Sequence, residues 1–332
     1  MAVPTVAPAD LLLERLAETA ELGRGVERKR MMIIVNPYAT TVSDRLRNLV
    51  VYALQGRYEV TAIDTQARGH AVELCREAAL EGYDVVVAFG GDGTVNEVAR
   101  GLAGSDTPLT CLPGGSANVY CKQLGIPGEI VDATEHLLRM ADEWRVRKAD
   151  VGTVNDRLFT FSAGLGLDAD VVRRVDARPM LKARYGPWWF TYAAVTTFTA
   201  RYLVRPPQLE LRAGDHAVPG VTALVQNGHP FTYFKDRPIE IAEGAELDGG
   251  TLSAAVLERA SPVDMPTVIW RVFSRRARVL RHRRVTGLSG LTELEVRSAD
   301  GRPVALQVDG DHVDDVVEAR FGLRRRYLTV VS

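Results

Sequence analysis

Cysteine is scarce in this chain of 332 residues. Cys75, Cys111 and Cys121 are its three, and none stands at metal-ligand spacing from another. An odd count without paired spacing excludes a disulfide framework and a cysteine-built zinc site, and it fits a reduced, intracellular compartment. Excess charge of one sign is lacking too. The 41 Lys and Arg are balanced by 42 Asp and Glu, for a net charge of -1. No overall basic field therefore draws the chain to nucleic acid, and no nucleic-acid partner is expected. The longest apolar stretch, Trp188 to Val204, is broken by threonines and is short for a spanning helix. It is expected to be a buried or amphipathic helix. The first residues lack a basic leader, and Glu14 and Glu18 interrupt the run after Leu13, so no signal peptide is expected. Repeats and low-complexity tracts are missing as well. What remains is a soluble globular composition, with 46% hydrophobic and 25% charged residues. The length suits about two domains.

Residues 1–29 read as an extension, in which Leu11, Leu12, Leu16 and Leu22 predict a short amphipathic helix. From Met31 the pattern alternates strand and helix. Strands are predicted at Met32–Val35, Tyr58–Ile63, Asp84–Phe89 and Leu109–Leu112, with helices near Ser43–Leu54, Ala71–Glu81 and Val95–Ala103. Such alternation implies a doubly wound, mostly parallel sheet over residues 30–150, with ligands beyond the C-terminal strand ends. Near Trp144 to Val154 the rhythm changes. Residues 151–320 are predicted to form a β-rich second domain with a few helices, among them Asp168–Val175, Pro187–Tyr202 and Ser261–Leu280. A last strand within 321–332 is expected to return to the first domain.

The run Val85-Val86-Val87-Ala88-Phe89 ends in Gly90-Gly91-Asp92-Gly93-Thr94, and Val95, Val98, Ala99 and Leu102 then recur at helical spacing. A strand passing through glycines into a helix N-terminus is a phosphate cradle. The glycines admit an anion to the backbone N–H groups, and the helix dipole favours negative charge there. Asp92 is the anomaly, because a carboxylate repels phosphate. It is explained if it holds a Mg²⁺ that touches phosphate, or if it takes a proton from an attacking hydroxyl. A second turn, Pro113-Gly114-Gly115-Ser116-Ala117-Asn118, follows the fourth strand and lies at the same sheet edge; Asn118 is also a candidate helix cap. Neither turn carries the Gly-Lys-Ser/Thr ending of a P-loop or the G-x-G-x-x-G of a dinucleotide fold. Late in the chain, the apolar strand Val304–Val308 runs into Asp309-Gly310-Asp311. The two carboxylates share a face if the strand continues, whereas Asp-Gly is also a strong turn pair.

Together these segments resemble the diacylglycerol kinase catalytic domain, and more closely the soluble bacterial lipid kinases of that superfamily, which takes in sphingosine and ceramide kinases. Carrying the likeness are Gly90-Gly91-Asp92-Gly93-Thr94 with Asn96-Glu97, the Pro113–Asn118 turn, Asn36-Pro37, Thr65, and Gly69-His70-Ala71. Further along are Ala163-Gly164-Leu165-Gly166-Leu167-Asp168-Ala169, Asn227-Gly228, Ala245–Gly250 and Val308-Asp309-Gly310-Asp311. The first element alone also occurs in NAD kinases. The resemblance implies transfer of phosphate from ATP, with Mg²⁺, to a lipid hydroxyl such as that of diacylglycerol. It implies ATP contacts from Asn36, Pro37, Thr40, Thr65, Gly91, Asp92, Gly93, Thr94, Asn96, Glu97, Ser116 and Asn118. Asp311 takes the place of the family's proton-accepting glutamate, Asp92 organises Mg²⁺ or shares the base role, and Asp309 supports. Metal ligands implied in the second domain are Asp248 with carbonyl help from Leu247 or Thr251.

Three positions depart from the family pattern: Thr40 for glycine, Val119 for aspartate, and Gly249 for a metal-site aspartate. They keep open a catalytically silent lipid- or nucleotide-binding protein, beside an NAD kinase-type small-molecule kinase. For the lipid end, Met180, Leu181, Tyr185, Trp188, Trp189, Phe190 and Tyr192 read as a core helix or as a lid at the bilayer interface. Trp270 to Arg284 mixes Trp270, Phe273 and Val279 with seven arginines. That segment reads as a basic amphipathic helix for anionic headgroups, as a solvated face pairing local acids, or as a source of phosphate contacts. A cytoplasmic protein visiting the inner membrane surface follows from the resemblance. A homodimer is compatible with it.

Overall fold

A computed structural model describes residues 28–178, 180–181, 185, 187–234 and 237–332, without the side chains of Pro187 and Phe190. The expected helix within 1–29 lies outside the described residues. The chain divides into two units, one reaching Lys148 and resuming at Tyr327–Ser332, the other spanning Ala149–Arg326.

In the first unit, strands β1 (Arg30–Val35), β2 (Glu59–Asp64), β3 (Val85–Gly90) and β4 (Leu109–Pro113) pair in the order β2-β1-β3-β4. Every pairing is parallel, and Val330 from the end of the chain lies beside Leu109, also in parallel. β3 and β4 are buried throughout, as unbroken apolar strands covered on both faces must be. Between the strands run α1 (Asp44–Leu54), α2 (His70–Leu80) and α3 (Asp92–Leu102); α4 (Val119–Gln123) and α5 (Ile130–Met140) follow β4. The Ser43 hydroxyl caps α1 by accepting the Leu46 N–H. α3 begins three residues earlier than Val95, where the apolar periodicity places its start. Gly91 is its N-cap, with its carbonyl accepting the Val95 N–H, so Asp92 stands inside the first helical turn.

In the second unit, β5 (Val146–Val154) leads in, and β6 (Arg157–Phe159) folds back on it. One antiparallel sheet joins β7 (Ser162–Leu165), β10 (Thr222–Gln226), β13 (Leu252–Leu257), β14 (Val285–Leu291), β16 (Val304–Val308) and β17 (Asp311–Val316), in the order β14-β13-β10-β7-β16-β17. A second antiparallel set pairs β15 (Glu293–Ser298) with β8 (Leu209–Ala213) and with Glu318–Gly322 of β18 (Glu318–Val331); β9 (His216–Gly220) flanks β8. β11 (Thr232–Phe234) and β12 (Arg237–Ile239) form a separate hairpin. Strand alternation builds the core. Leu209, Leu211 and Ala213 of β8 are buried beside Ala223, Val225, Ala254, Val296 and Leu306, while Glu210 and Arg212 point away. Among the described residues the unit also holds the helices α6 (Leu167–Asp176), α7 (Pro187–Thr197), which runs into a π-turn at Phe198–Tyr202, and α8 (Met265–Val272).

The long basic helix expected across Trp270 to Arg284 is not formed. α8 ends at Val272, and only a 3-10 turn at Val279–Arg281 follows. The Ser274 hydroxyl accepts the N–H groups of Arg276 and Ala277, which diverts the backbone from helical pairing.

Candidate functional site

Connections in the first unit reverse direction between β1 and β3. β1 leads outward to β2, and the chain then crosses to β3 on the other side of β1. Such a switch point opens a crevice beyond the C-terminal ends of the two strands. The Asn36-Pro37 turn and the Gly90-Gly91-Asp92 turn both lie there, with Pro113-Gly114-Gly115 beside them through the Gly90–Pro113 register.

The two glycine turns interlock backbone to backbone. The Gly114 N–H donates to the Gly90 carbonyl at 2.9 Å, and the Thr41 N–H donates to the Gly114 carbonyl at 3.1 Å. A Cβ on Gly115 would lie 2.7 Å from the Gly91 Cα, and one on Gly114 would lie 2.8 Å from the Gly90 Cα. Glycine is required at these positions by close approach, a fit that neither turn's local sequence reveals.

Several expected nucleotide ligands are engaged within the protein itself. Asn36 donates from Nδ2 to the Thr94 hydroxyl at 3.1 Å, and its Oδ1 accepts the Tyr38 N–H. Asn118 sits in the left-handed region at φ 48, with its side-chain amide clasping the N–H and carbonyl of Gly115. Its expected role as a side-chain helix cap is thus replaced by a clamp on the turn. Glu97 accepts the Gly69 N–H at 2.9 Å, tying α3 to the start of α2. The Asp92 Oδ1 accepts the Tyr120 N–H at 3.1 Å, so its carboxylate sits at the N-termini of α3 and α4 together. Thr40 and Ser116 are exposed, Thr65 is half-buried just past β2, Pro37 is exposed, and Asn96 is buried.

In the second unit, Asp309 and Asp311 are not alternate residues of one strand. Asp309 (φ 48) and Gly310 (φ 82) are the two central residues of a hairpin turn, closed by the pair Val308 and Asp311. Of the two readings of Asp309-Gly310-Asp311 the structure takes the turn: it reverses the chain between the two carboxylates, so they do not share a strand face. Asp309 is only 2% exposed. Its carboxylate takes four donors: the Thr160 N–H and hydroxyl, and the N–H groups of Phe161 and Ser162. Burial pushes its pKa up, against those four donors. Asp311 opens β17 and is half-buried.

The turn is further held by Gln307, buried inside β16, whose side chain accepts the Gly310 N–H and donates to Asp168 at 3.1 Å. Burial pushes the Asp168 carboxyl up to about 6, while Gln307 and Thr222 pull the other way. Glycine at 164 admits that carboxylate, since a Cβ there would meet Asp168 Oδ2 at 2.4 Å.

At the Ala245–Gly250 turn the buried acid is Asp150. Its N–H donates to the Leu247 carbonyl at 2.6 Å, and its carboxylate accepts the N–H groups of Gly250 and Arg326. Arg325 grips the Gly250 carbonyl. Asp248 is exposed and Thr251 half-buried. Asp248-Gly249-Gly250 is thus stitched as a turn, and one lone pair of the Leu247 carbonyl is already used. Among the described residues no group of three or more His, Cys, Asp or Glu could hold a metal. Mg²⁺ in phosphoryl transfer needs only one or two carboxylates beside substrate phosphates. Asp92 in the glycine crevice fits that requirement, whereas the Asp248, Leu247 and Thr251 set does not fit a closed protein site.

In the aromatic segment, Trp189 is core, packed with Val175 and Ala193, while Trp188 is 80% exposed and Tyr192 half-exposed. Phe190 lies outside the described side chains. Sequence reading missed Asp150, Thr160 and Gln307 as organising residues. Gln307 alone left a signal, one polar residue within the apolar strand Val304–Val308. All three cysteines are buried thiols without disulfides.

Residues 30–164 match the diacylglycerol kinase catalytic domain family. A diacylglycerol kinase of Bacillus subtilis is 36% identical over 143 residues, which is 42% of this chain but only 46% of that protein. A Staphylococcus aureus diacylglycerol kinase is 26% identical over 300 residues, covering 86% of this chain and 87% of that one. A solved diacylglycerol kinase structure from Bacillus anthracis superposes with a TM-score of 0.67 at 18% identity, over 92% of this chain and 97% of that one. Another structure from the same organism reaches 0.73 at 21% identity, with the same coverage. At these identities the solved structures speak for the fold, a parallel α/β unit with a β-rich second unit.

Proposed function

We propose, since residues 30–164 are a domain of the diacylglycerol kinase catalytic family, that the chain is a lipid kinase that transfers the γ-phosphate of ATP to a lipid hydroxyl, with diacylglycerol the leading acceptor. The observation that carries this reading is the pair of interlocked glycine turns at the switch point of the parallel sheet, opening onto the N-terminus of α3. That arrangement offers the N-terminus of α3 and its dipole to an anion, without the lysine of a P-loop, while the second turn braces it, its Gly114 and Gly115 N–H groups being taken by Gly90 and Asn118.

Phosphoryl transfer asks a protein chiefly for placement and neutralised charge. The Gly90–Gly93 turn and Ser116 hold the phosphates, braced by Pro113–Gly115, with Thr65, Pro37, Thr40 and Asn96 around the nucleotide. Asn36, Thr94, Glu97 and Asn118 keep the turns in register through their own hydrogen bonds. Asp92 is the residue that would hold Mg²⁺, which when bound neutralises phosphate charge. Asp311 takes the proton of the acceptor hydroxyl, and Asp309 acts through the turn that presents it.

Incubating the purified chain with γ-labelled ATP, Mg²⁺ and either diacylglycerol micelles or NAD⁺ tests the reading. Label in lipid is expected. Label in the dinucleotide instead identifies a small-molecule kinase, and label in neither identifies a silent binding protein; either result refutes the proposal.

A further inference from the structure

The broken helix at Trp270 to Arg284 leaves a surface whose chemistry the catalytic site does not use. α8 turns Met265 and Val268 into a core with Leu257, Ala260 and Val279. Its other side presents Ile269 and Trp270, 50% and 61% exposed. Phe273, just past the helix, meets Phe234 of the β11–β12 hairpin edge-on at 5.7 Å, and both rings remain open to solvent. Val263, just before the N-cap of the helix, is 77% exposed.

Arginines surround this patch, and their pairing separates them into two sets. Asp264 holds Arg283 and approaches Arg284, while Glu243 holds Arg278. Arg275, Arg276 and Arg281 are exposed and make no ion pair among the described residues. A solvated face that pairs its own acids would not leave three cations together beside bare aromatic rings.

We propose that this face, Phe234, Val263, Ile269, Trp270 and Phe273 with Arg275, Arg276 and Arg281, seats the protein on an anionic phospholipid bilayer. Trp and Phe enter the headgroup region, and the arginines meet lipid phosphates. Nucleic acid fits less well, because a phosphate backbone offers no home to exposed Val263 and Ile269. Among the described residues no helix is long and apolar enough to cross a membrane. Contact of this kind is therefore superficial, reversible and sensitive to salt. The choice of a bilayer rests on the lipid-kinase reading, in which the acceptor is itself a membrane lipid. A second exposed apolar helix, α7, carries no charge along Pro187–Thr197; nearby Arg173 and Arg201 are held by Asp170, and Arg178 lies 6.0 Å over the ring of Trp189, which is itself core.

Co-sedimentation of the full chain with phosphatidylcholine vesicles, with and without phosphatidylglycerol, tests this surface. Binding only to the anionic vesicles is expected. The triple variant Arg275→Gln, Arg276→Gln, Arg281→Gln is expected to bind about 100-fold more weakly, on the order of fivefold for each charge. Trp270→Ser is expected to weaken binding at every salt concentration, while Trp188→Ser with Tyr192→Ser changes it less than about twofold. Circular dichroism and turnover on detergent-dispersed diacylglycerol should match wild type in the triple variant. Undiminished vesicle binding by that variant, equal binding to uncharged vesicles, loss through Trp188 and Tyr192 instead, or binding of single-stranded RNA with vesicles left alone would each overturn the assignment. A wild-type protein that binds anionic vesicles but labels no lipid would sink the kinase reading and leave the surface standing.

Discussion

Replacing Asp309 by asparagine puts an amide where the surroundings supply only donors. Oδ2 accepts the Thr160 N–H at 2.7 Å and the Thr160 hydroxyl at 2.8 Å, while Oδ1 accepts the Phe161 and Ser162 N–H groups at 3.0 and 3.1 Å. Whichever way the asparagine turns, its NH₂ faces two of these. The Thr160 hydroxyl can rotate and accept, but at least one buried N–H is left without a partner. An unsatisfied buried donor costs about 1–3 kcal/mol, and the surviving bonds lose their charge assistance, so a destabilisation of about 2–4 kcal/mol is expected. In a unit of this size that lowers the melting temperature by roughly 5–15 °C. Urea unfolding followed by tryptophan fluorescence measures it. Asp311→Asn is the partner experiment. Asp311 is half-buried at the start of β17, so stability should change by less than about 0.5 kcal/mol. Turnover should fall by about 100-fold or more, as for a lost general base. An Asp309→Asn protein with full stability and no turnover, or an Asp311→Asn protein with full turnover, would refute the division of roles.

Gly115→Ala places a Cβ 2.7 Å from the Gly91 Cα, so the two turns must part. A loss of about 1–3 kcal/mol in urea and at least tenfold weaker ATP binding by calorimetry are expected, and unchanged ATP affinity would show that the interlock is irrelevant to the nucleotide. Asp92→Asn keeps an acceptor for the Tyr120 N–H, so it should cost under about 1 kcal/mol of stability yet lower turnover by about 100-fold or more. Asp168 has its pKa raised from 3.8 to about 6 by burial. A raised carboxyl contributes stability that is complete below pH 4 and lost as pH rises through 6. Wild type should therefore lose about 2–3 kcal/mol between pH 4 and 7 from this group, and Asp168→Asn should flatten that slope; an unaltered slope in urea titrations would contradict the assignment.

The parallel half of the fold was legible because its signals are local. Unbroken runs such as Val85–Phe89 permit only a buried strand, and the spacing of Val95, Val98 and Leu102 permits only a helix packed on one side. Boundaries were less legible: α3 starts at Asp92 because Gly91 supplies the capping carbonyl, a backbone feature that apolar spacing does not report. The failure at Trp270 to Arg284 has a similar source. Helical spacing of aromatics and arginines was present, but the Ser274 hydroxyl outcompetes the helix for its neighbours' N–H groups.

By itself the sequence determined the sheet, the two glycine turns at its edge and the carboxylate within one of them, because strand burial and turn chemistry act within a few residues. Tertiary structure alone decided which carboxylates are occupied. Asp309 reads as Asp311's twin until Thr160, 149 positions away, surrounds it with donors. Asp150 reads as nothing until the Gly250 and Arg326 N–H groups converge on it. The hydrogen bonds that turn a carboxylate into scaffold come from residues far along the chain, and only folding brings them within reach.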